Sequence, residues 1–180
     1  MLGMTRDALA KRIAETAILH GEFTLRSGRK STWYIDKYLF STKPDILRAI
    51  GEMFAALIPE GTTLLAGAEL GGIPIVSTAS MACDLPCIFI RNQKKEYGTA
   101  KQLEGTLHAQ DKVVILEDVA TTGGQVLEAA ATITASGASV QSIIAVIDRC
   151  EGARENIEGA GFVFQSLFTS ADLGITEAAQ

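Results

Sequence analysis

Glu117 and Asp118 are adjacent carboxylates between an apolar run, Val113-Val114-Ile115-Leu116, and a small-residue turn, Val119-Ala120-Thr121-Thr122-Gly123-Gly124-Gln125. The four apolar residues do not alternate with polar ones, so they read as a strand buried on both faces, as in a parallel sheet. The acids fall where that strand should end. Beyond the turn, Val126, Leu127, Ala130, Ile133 and Thr134 recur at helical spacing until Gly137 stops the helix. Such a corner can cradle an anion. Glycines let backbone N–H groups turn inward, threonine hydroxyls add donors, and a helix N-terminus favours negative charge. The acid pair would repel a bare phosphate, but it suits ribose hydroxyls or a magnesium ion beside the phosphate. On spacing alone, an ordinary strand–helix turn with two solvated acids at its rim also fits. No Gly-Lys-Ser/Thr closes the loop and no Gly-x-Gly-x-x-Gly is present, so neither nucleotide-binding fingerprint applies.

Four further stretches carry groups that could bind a ligand. The run Glu22-Phe23-Thr24-Leu25-Arg26-Ser27-Gly28-Arg29-Lys30-Ser31-Thr32-Trp33-Tyr34-Ile35-Asp36 predicts two short strands around a turn at Ser27-Gly28. Its three basic residues beside an aromatic cluster could hold a flat anion, or could be a solvated hairpin tip. Gly71 and Gly72 precede a helix begun by Ile73-Pro74, which allows close approach to an anion or makes only a tight turn. Residues 91–105 are polar and aperiodic. Arg91, Lys94, Lys95 and Lys101 could neutralise a diphosphate if this stretch closes as a lid; an exposed charged loop and a long hairpin are the other readings. Arg149 follows the strand predicted over Val140 to Ile147, where an open parallel sheet collects its ligands. A guanidinium there can take a carboxylate bidentately, or can pair with Asp148 or Glu151.

The elements that position these groups alternate in type. A helix is expected from Thr5 to about His20, ended by Gly21, and a second from Thr42-Lys43-Pro44 with Ile46, Leu47, Ile50, Met53, Phe54 and Leu57 as its apolar stripe. Strands are expected at Leu64 to Ala68, Cys87 to Ile90 and Phe162 to Phe168, with helices to about Ala82 and Gly159 and a C-terminal turn or helix over residues 169–173. The 180 residues suit one α/β domain, and 47% hydrophobic residues can fill its core. A net charge of −5 gives no electrostatic reason to expect nucleic acid. Cys83, Cys87 and Cys150 are odd in number with no Cys-x-x-Cys, and His20 and His108 are scattered, so neither a disulfide framework nor zinc is indicated. No run is long enough to span a bilayer and none reads as a signal peptide, which predicts a cytoplasmic protein.

The Glu117–Gln125 segment resembles the 5-phosphoribosyl 1-diphosphate (PRPP) signature of the type I phosphoribosyltransferases. The stretch before the aromatic pair Trp33-Tyr34 resembles the hood of the orotate phosphoribosyltransferase family, and Arg91 to Gly98 resembles that family's mobile catalytic loop. The resemblance covers nearly the whole chain in order. It implies a Rossmann-like parallel sheet with flanking helices plus a small N-terminal hood at about residues 21–40, a lid at about 91–105, and a Mg²⁺-dependent transfer of phosphoribose from PRPP to orotate in pyrimidine biosynthesis. By position, Glu117 and Asp118 would hold the ribose hydroxyls. Val119, Ala120, Thr121, Thr122, Gly123, Gly124 and Gln125 would cradle the 5′-phosphate, with Thr121 also near orotate. Gly71 and Gly72 would lie in the pyrophosphate loop. Arg149 would bind the orotate carboxylate, and Arg26 and Tyr34 would complete the base pocket. Arg91, Lys94, Lys95 and Tyr97 would contact PRPP from the neighbouring subunit of a homodimer, with Arg91, Lys95 and Asp118 in catalytic roles. Mg²⁺ would be held mainly by PRPP, with no protein metal site.

Four positions depart from the better-known bacterial pattern: Arg26 and Gly71 stand where lysine is usual, Asn92 where a basic residue is, and Tyr97 where histidine is. Lys94 is expected to replace the cation lost at Asn92, so that Lys94→Ala weakens PRPP binding. A phosphoribosyltransferase for another base has no carboxylate to match Arg26 and Arg149. A PRPP-sensing regulator that binds nucleic acid fits poorly with the acidic balance, and a bare nucleotide binder would lack the hood.

Overall fold

The computed structural model describes residues 3–24, 28, 30–91 and 102–175. Six strands form one sheet in the order β5-β4-β3-β6-β7-β8. They are β3 (Leu64–Ala68), β4 (Cys87–Ile90), β5 (Leu103–Glu104), β6 (Lys112–Ala120), β7 (Ser139–Asp148) and β8 (Phe164–Thr169). All neighbours run parallel except β4 and β5. Helices α1 (Arg6–Ala17), α3 (Pro44–Ala55) and α4 (Gly72–Cys83) cover one face. There Leu9, Ile13, Ile46, Ile50, Phe54 and Ile75 pack on Leu65, Val114, Leu116 and Ile144. Helices α5 (Gly124–Ala135) and α6 (Ala153–Gly159) cover the other, with Val126, Ala130, Ile133 and Ile157 against Ala66, Ile88, Ile115 and Ile143. A strand covered on both faces must be apolar at successive positions, which is why the unalternating runs in β3, β6 and β7 become central strands.

Before the sheet, β1 (Ile18–Thr24) and β2 (Lys30–Ile35) form an antiparallel hairpin, and a five-residue helix, α2 (Lys37–Ser41), follows. This is the expected pair of strands, with shifted limits, at the place the resemblance gives to the hood. The first helix stops at Ala17 rather than His20, because Ile18 and Leu19 pair with Ile35 and Tyr34 in the hairpin. Helix α2 was not anticipated. Asp36 caps it, accepting from the Tyr38 backbone N–H at 3.1 Å.

Three other differences bear on the site. Strand β6 does not end before the acids: pairing with β7 carries it through Glu117 and Asp118 to Ala120. The C-terminal end of the expected lid is sheet, since Leu103 and Glu104 pair with Ile90 and Phe89. Arg91 joins the same edge, its N–H donating to the Gln102 carbonyl at 2.9 Å. The last strand begins two residues later than expected, at Phe164.

Candidate active site

Strand β4 lies on one side of β3 and β6 on the other, so the chain reverses its winding between β3 and β6. Side chains and loops leaving the carboxyl ends of two such strands diverge and open a crevice, where ligands bind in sheets of this kind. The loop after β3 carries Glu69 to Gly71, and the Glu69–Leu70 peptide is cis. The loop after β6 carries Thr121 to Gly123. Helices α4 and α5 start from these loops on Gly71 and Gly123, and neither start has a side-chain cap. Their first N–H groups therefore remain available to an anion. Gly123 needs its glycine: φ is +79° there, and a Cβ would meet Ile157 at 3.0 Å. Asn156 Nδ2 donates to the Thr122 carbonyl at 2.9 Å, so α6 braces the turn. Gln125 Nε2 donates to the Glu69 carbonyl at 2.9 Å and ties the two loops together.

The acid pair sits between the loops and is not solvated. Asp118 is fully buried and Glu117 nearly so. The Asp118 N–H donates to Glu117 Oε1 at 3.1 Å. Lys37 reaches in from α2 and sets its Nζ 2.9 Å from Asp118 Oδ2 and 3.3 Å from Oδ1. Burial, then the charge of Asp118 and the hydrogen bond to it, hold Glu117 well above the ordinary carboxylate range, against the pull of Lys37. Burial alone would lower Lys37, but the charge and hydrogen bond of Asp118, with Glu117 adding to them, leave it above its ordinary value. Two buried carboxyls and one ammonium thus share little net charge, as burial requires. The solvated-rim reading of the acids is excluded.

Arg149 leaves the end of β7 beside them, its N–H donating to the Ala120 carbonyl at 2.9 Å. Its guanidinium lies over the Trp33 ring of the hood, 4.7 Å from the centroid, and its Nη2 is 2.7 Å from Glu151 Oε1. Arg149 Nε is buried and makes no hydrogen bond among the described residues. The ion pair with Glu151 expected as one alternative is therefore present, yet part of the fork stays unused. Tyr34 is 40% exposed and stacks at a tilt on Phe23, ring centroids 5.7 Å apart. Arg91 Nη1 lies 3.8 Å from Glu104 on the sheet edge. Arg26, Lys94, Lys95 and Tyr97 lie outside the described residues, as does Asn92.

Sequence reasoning did not find Lys37 or single out Trp33. Lys37 stands 81 positions from Asp118, so no local pattern joins them. The one available signal was a lysine directly after a capping aspartate, where a helix N-terminus disfavours a cation.

A doubly wound sheet with an acid pair, a threonine–glycine turn and an uncapped helix at its switch point defines the type I phosphoribosyltransferases. The adenine phosphoribosyltransferase of Trypanosoma brucei shares this fold at 16% identity and a TM-score of 0.71, over 92% of this chain and 81% of that one. No family model matches the sequence. Curated relatives do: an orotate phosphoribosyltransferase of Methanocella arvoryzae is 45% identical over 157 residues, 87% of this chain and 90% of the relative. That of Natronomonas pharaonis is 45% identical over 167 residues, 93% of this chain and 94% of the relative. The Mycobacterium tuberculosis orotate phosphoribosyltransferase, solved in complex with PRPP, superposes with a TM-score of 0.80 at 27% identity, covering 94% of this chain and 98% of that one.

The chain belongs to the orotate phosphoribosyltransferase family. Its activity is transfer of the 5-phosphoribosyl group from PRPP to orotate, the step of pyrimidine biosynthesis that yields orotidine 5′-phosphate and pyrophosphate.

Proposed function

We propose that the transfer takes place in the crevice between β3 and β6, with the hood closing over the base. Asp118 accepts from a ribose hydroxyl and Glu117 orients the second. The N–H groups of Thr121 to Gln125 at the start of α5 bind the 5′-phosphate, and Gly71 and Gly72 at the start of α4 face the diphosphate. Arg149 takes the orotate carboxylate with the part of its fork that Glu151 leaves unused. Arg26, Tyr34 and Thr121 complete the base pocket. The observation that carries this reading is the Arg149 guanidinium, fixed between Trp33 and Glu151 beside the buried acid pair, with a buried Nε still to be satisfied.

As pyrophosphate leaves the anomeric carbon, the ribose passes through an oxocarbenium-like state, and the orotate ring nitrogen, as its anion, forms the new bond. No nucleophilic serine, cysteine or histidine is required. The chain's work is to hold both reactants in line, exclude water and balance leaving-group charge. Among the described residues no three His, Cys, Asp or Glu cluster to hold a metal. Mg²⁺ would enter with the diphosphate, since this ion keeps several waters and takes few protein ligands; bound there, it would neutralise leaving-group charge. Arg91, Lys94, Lys95 and Tyr97 reach the diphosphate from the second subunit of a homodimer. No described helix is long and apolar enough to cross a membrane.

The test follows orotate's ultraviolet absorbance after mixing protein, PRPP and Mg²⁺, with adenine and uracil in parallel. Loss of the orotate signal that requires PRPP is expected, with no turnover of adenine or uracil. Turnover of another base would overturn the role given to the hood and Arg149. PRPP binding without turnover of any base would favour the regulator instead.

A further inference from the structure

We propose that Lys37 is a substrate-binding residue for the diphosphate of PRPP: its ammonium exchanges Asp118 for a diphosphate oxygen when the ribose hydroxyls occupy the carboxylate. The inference rests on the roles given above to Asp118 and to the β3–α4 loop.

Lys37 spans both subsites. Its Nζ is 2.9 Å from Asp118 Oδ2, while a third of its side chain remains exposed. A Cβ built on Gly71 would stand 3.1 Å from that Nζ and would overlap Asp118 Oδ2. The ammonium therefore lies directly against the loop from which α4 starts. Residues 69–74, Glu-Leu-Gly-Gly-Ile-Pro, contain no basic side chain. An anion on the uncapped start of α4 has Lys37 as its adjacent cation.

Local structure does not ask for a lysine at this position. Lys37 is the first residue of α2, capped by Asp36, and a cation in the first turn opposes the helix dipole. A residue that breaks a local rule and points into a crevice is expected where function sets the choice. Neutralising the buried acids accounts for a cation beside Asp118, but not for one whose ammonium also lies against the start of α4. Among the described residues Asp118 Oδ2 accepts no hydrogen bond in addition to the ion pair, so the carboxylate can take a ribose hydroxyl there. As it does so, the ammonium is released beside the second anion.

The experiment measures binding of PRPP, pyrophosphate and ribose 5-phosphate to wild type, Lys37→Met, Lys37→Arg and Asp118→Asn. The fluorescence of Trp33, the chain's one tryptophan, is the signal, with calorimetry as a check. Lys37→Met should weaken PRPP and pyrophosphate by about tenfold or more. It should leave ribose 5-phosphate within about threefold. Lys37→Arg should retain most of the PRPP affinity. A brace has no reason to distinguish ligands with a diphosphate from one without it. Parallel loss of PRPP and ribose 5-phosphate in Lys37→Met, or unchanged PRPP and pyrophosphate binding, would overturn the role of Lys37. Asp118→Asn tests the underlying reading separately and should weaken PRPP and ribose 5-phosphate together. If it affects neither, the assignment of the acid pair fails, and that of Lys37 with it.

Discussion

Strand β6 is buried continuously from Val113 to Asp118 and is flanked by parallel partners on both edges, β3 and β7. Strand β2 buries only alternate residues, Ser31, Trp33 and Ile35, and has β1 as its neighbour. The two strands supply opposite walls of the candidate site. One wall is held by the core whatever the ligand does. The other rests on a hairpin whose first strand is largely exposed, and it meets the core wall through the Trp33–Arg149 contact. The difference suggests a division of labour. In the proposed reading the sheet fixes the ribose and phosphate groups, where geometry must be kept through the reaction. The hood in that reading recognises the base, and its exposed first strand would let it open at low cost.

The comparison can be broken most severely from the sheet side. Ile115→Ala, in the fully buried centre of β6, should lower unfolding free energy by about 2–5 kcal/mol in a urea titration. Phe23→Ala, at the half-buried ring stacked on Tyr34 in the hood, should lower it by only about 0.5–1.5 kcal/mol. Equal losses would mean that the hairpin is integral to the core. Next in size is Asp118→Asn, which should reduce kcat/KM for PRPP by about 10- to 100-fold with little change in the KM for orotate. Smaller again is Trp33→Phe. It keeps an aromatic ring under Arg149 but weakens the cation–π attraction, so the KM for orotate should rise about two- to fivefold with that for PRPP unmoved. A shift in PRPP instead would merge the two walls into one.

The smallest effect concerns pH. Glu117 titrates well above its ordinary value in the folded chain, so the native state binds more protons than the unfolded state above about pH 4.5. This contribution is therefore largest in acid and is lost as pH rises through the folded value. Glu117→Gln should flatten the fall in Tm across that window, and an unaltered Tm–pH curve would show that the burial of Glu117 is not felt.

The same contrast explains what could be read from the sequence. The central strands and the helices that cover them were legible, because burial on both faces leaves an apolar run and burial on one leaves a stripe. The β3 limits and the place of Arg149 after β7 followed from that pattern, while α4 begins at Gly72, one residue ahead of the expected Ile73-Pro74 start. The end of β6 did not, since its extension through two acids depends on pairing with β7 and on neutralisation by Lys37, neither of which leaves a local trace. Helix α2 is five residues long and β5 two, too short to carry a period. Lys37 and Trp33 reach their partners only across the fold, 81 positions away for Lys37.

The central claim is that the core wall carries PRPP while Arg149, held under the hood, carries orotate. Steady-state kinetics of Arg149→Ala, with each substrate varied against saturating amounts of the other, tests it most directly. The KM for orotate should rise by about tenfold or more while the KM for PRPP stays near wild type. An unchanged KM for orotate, or equal rises for both substrates, would contradict it.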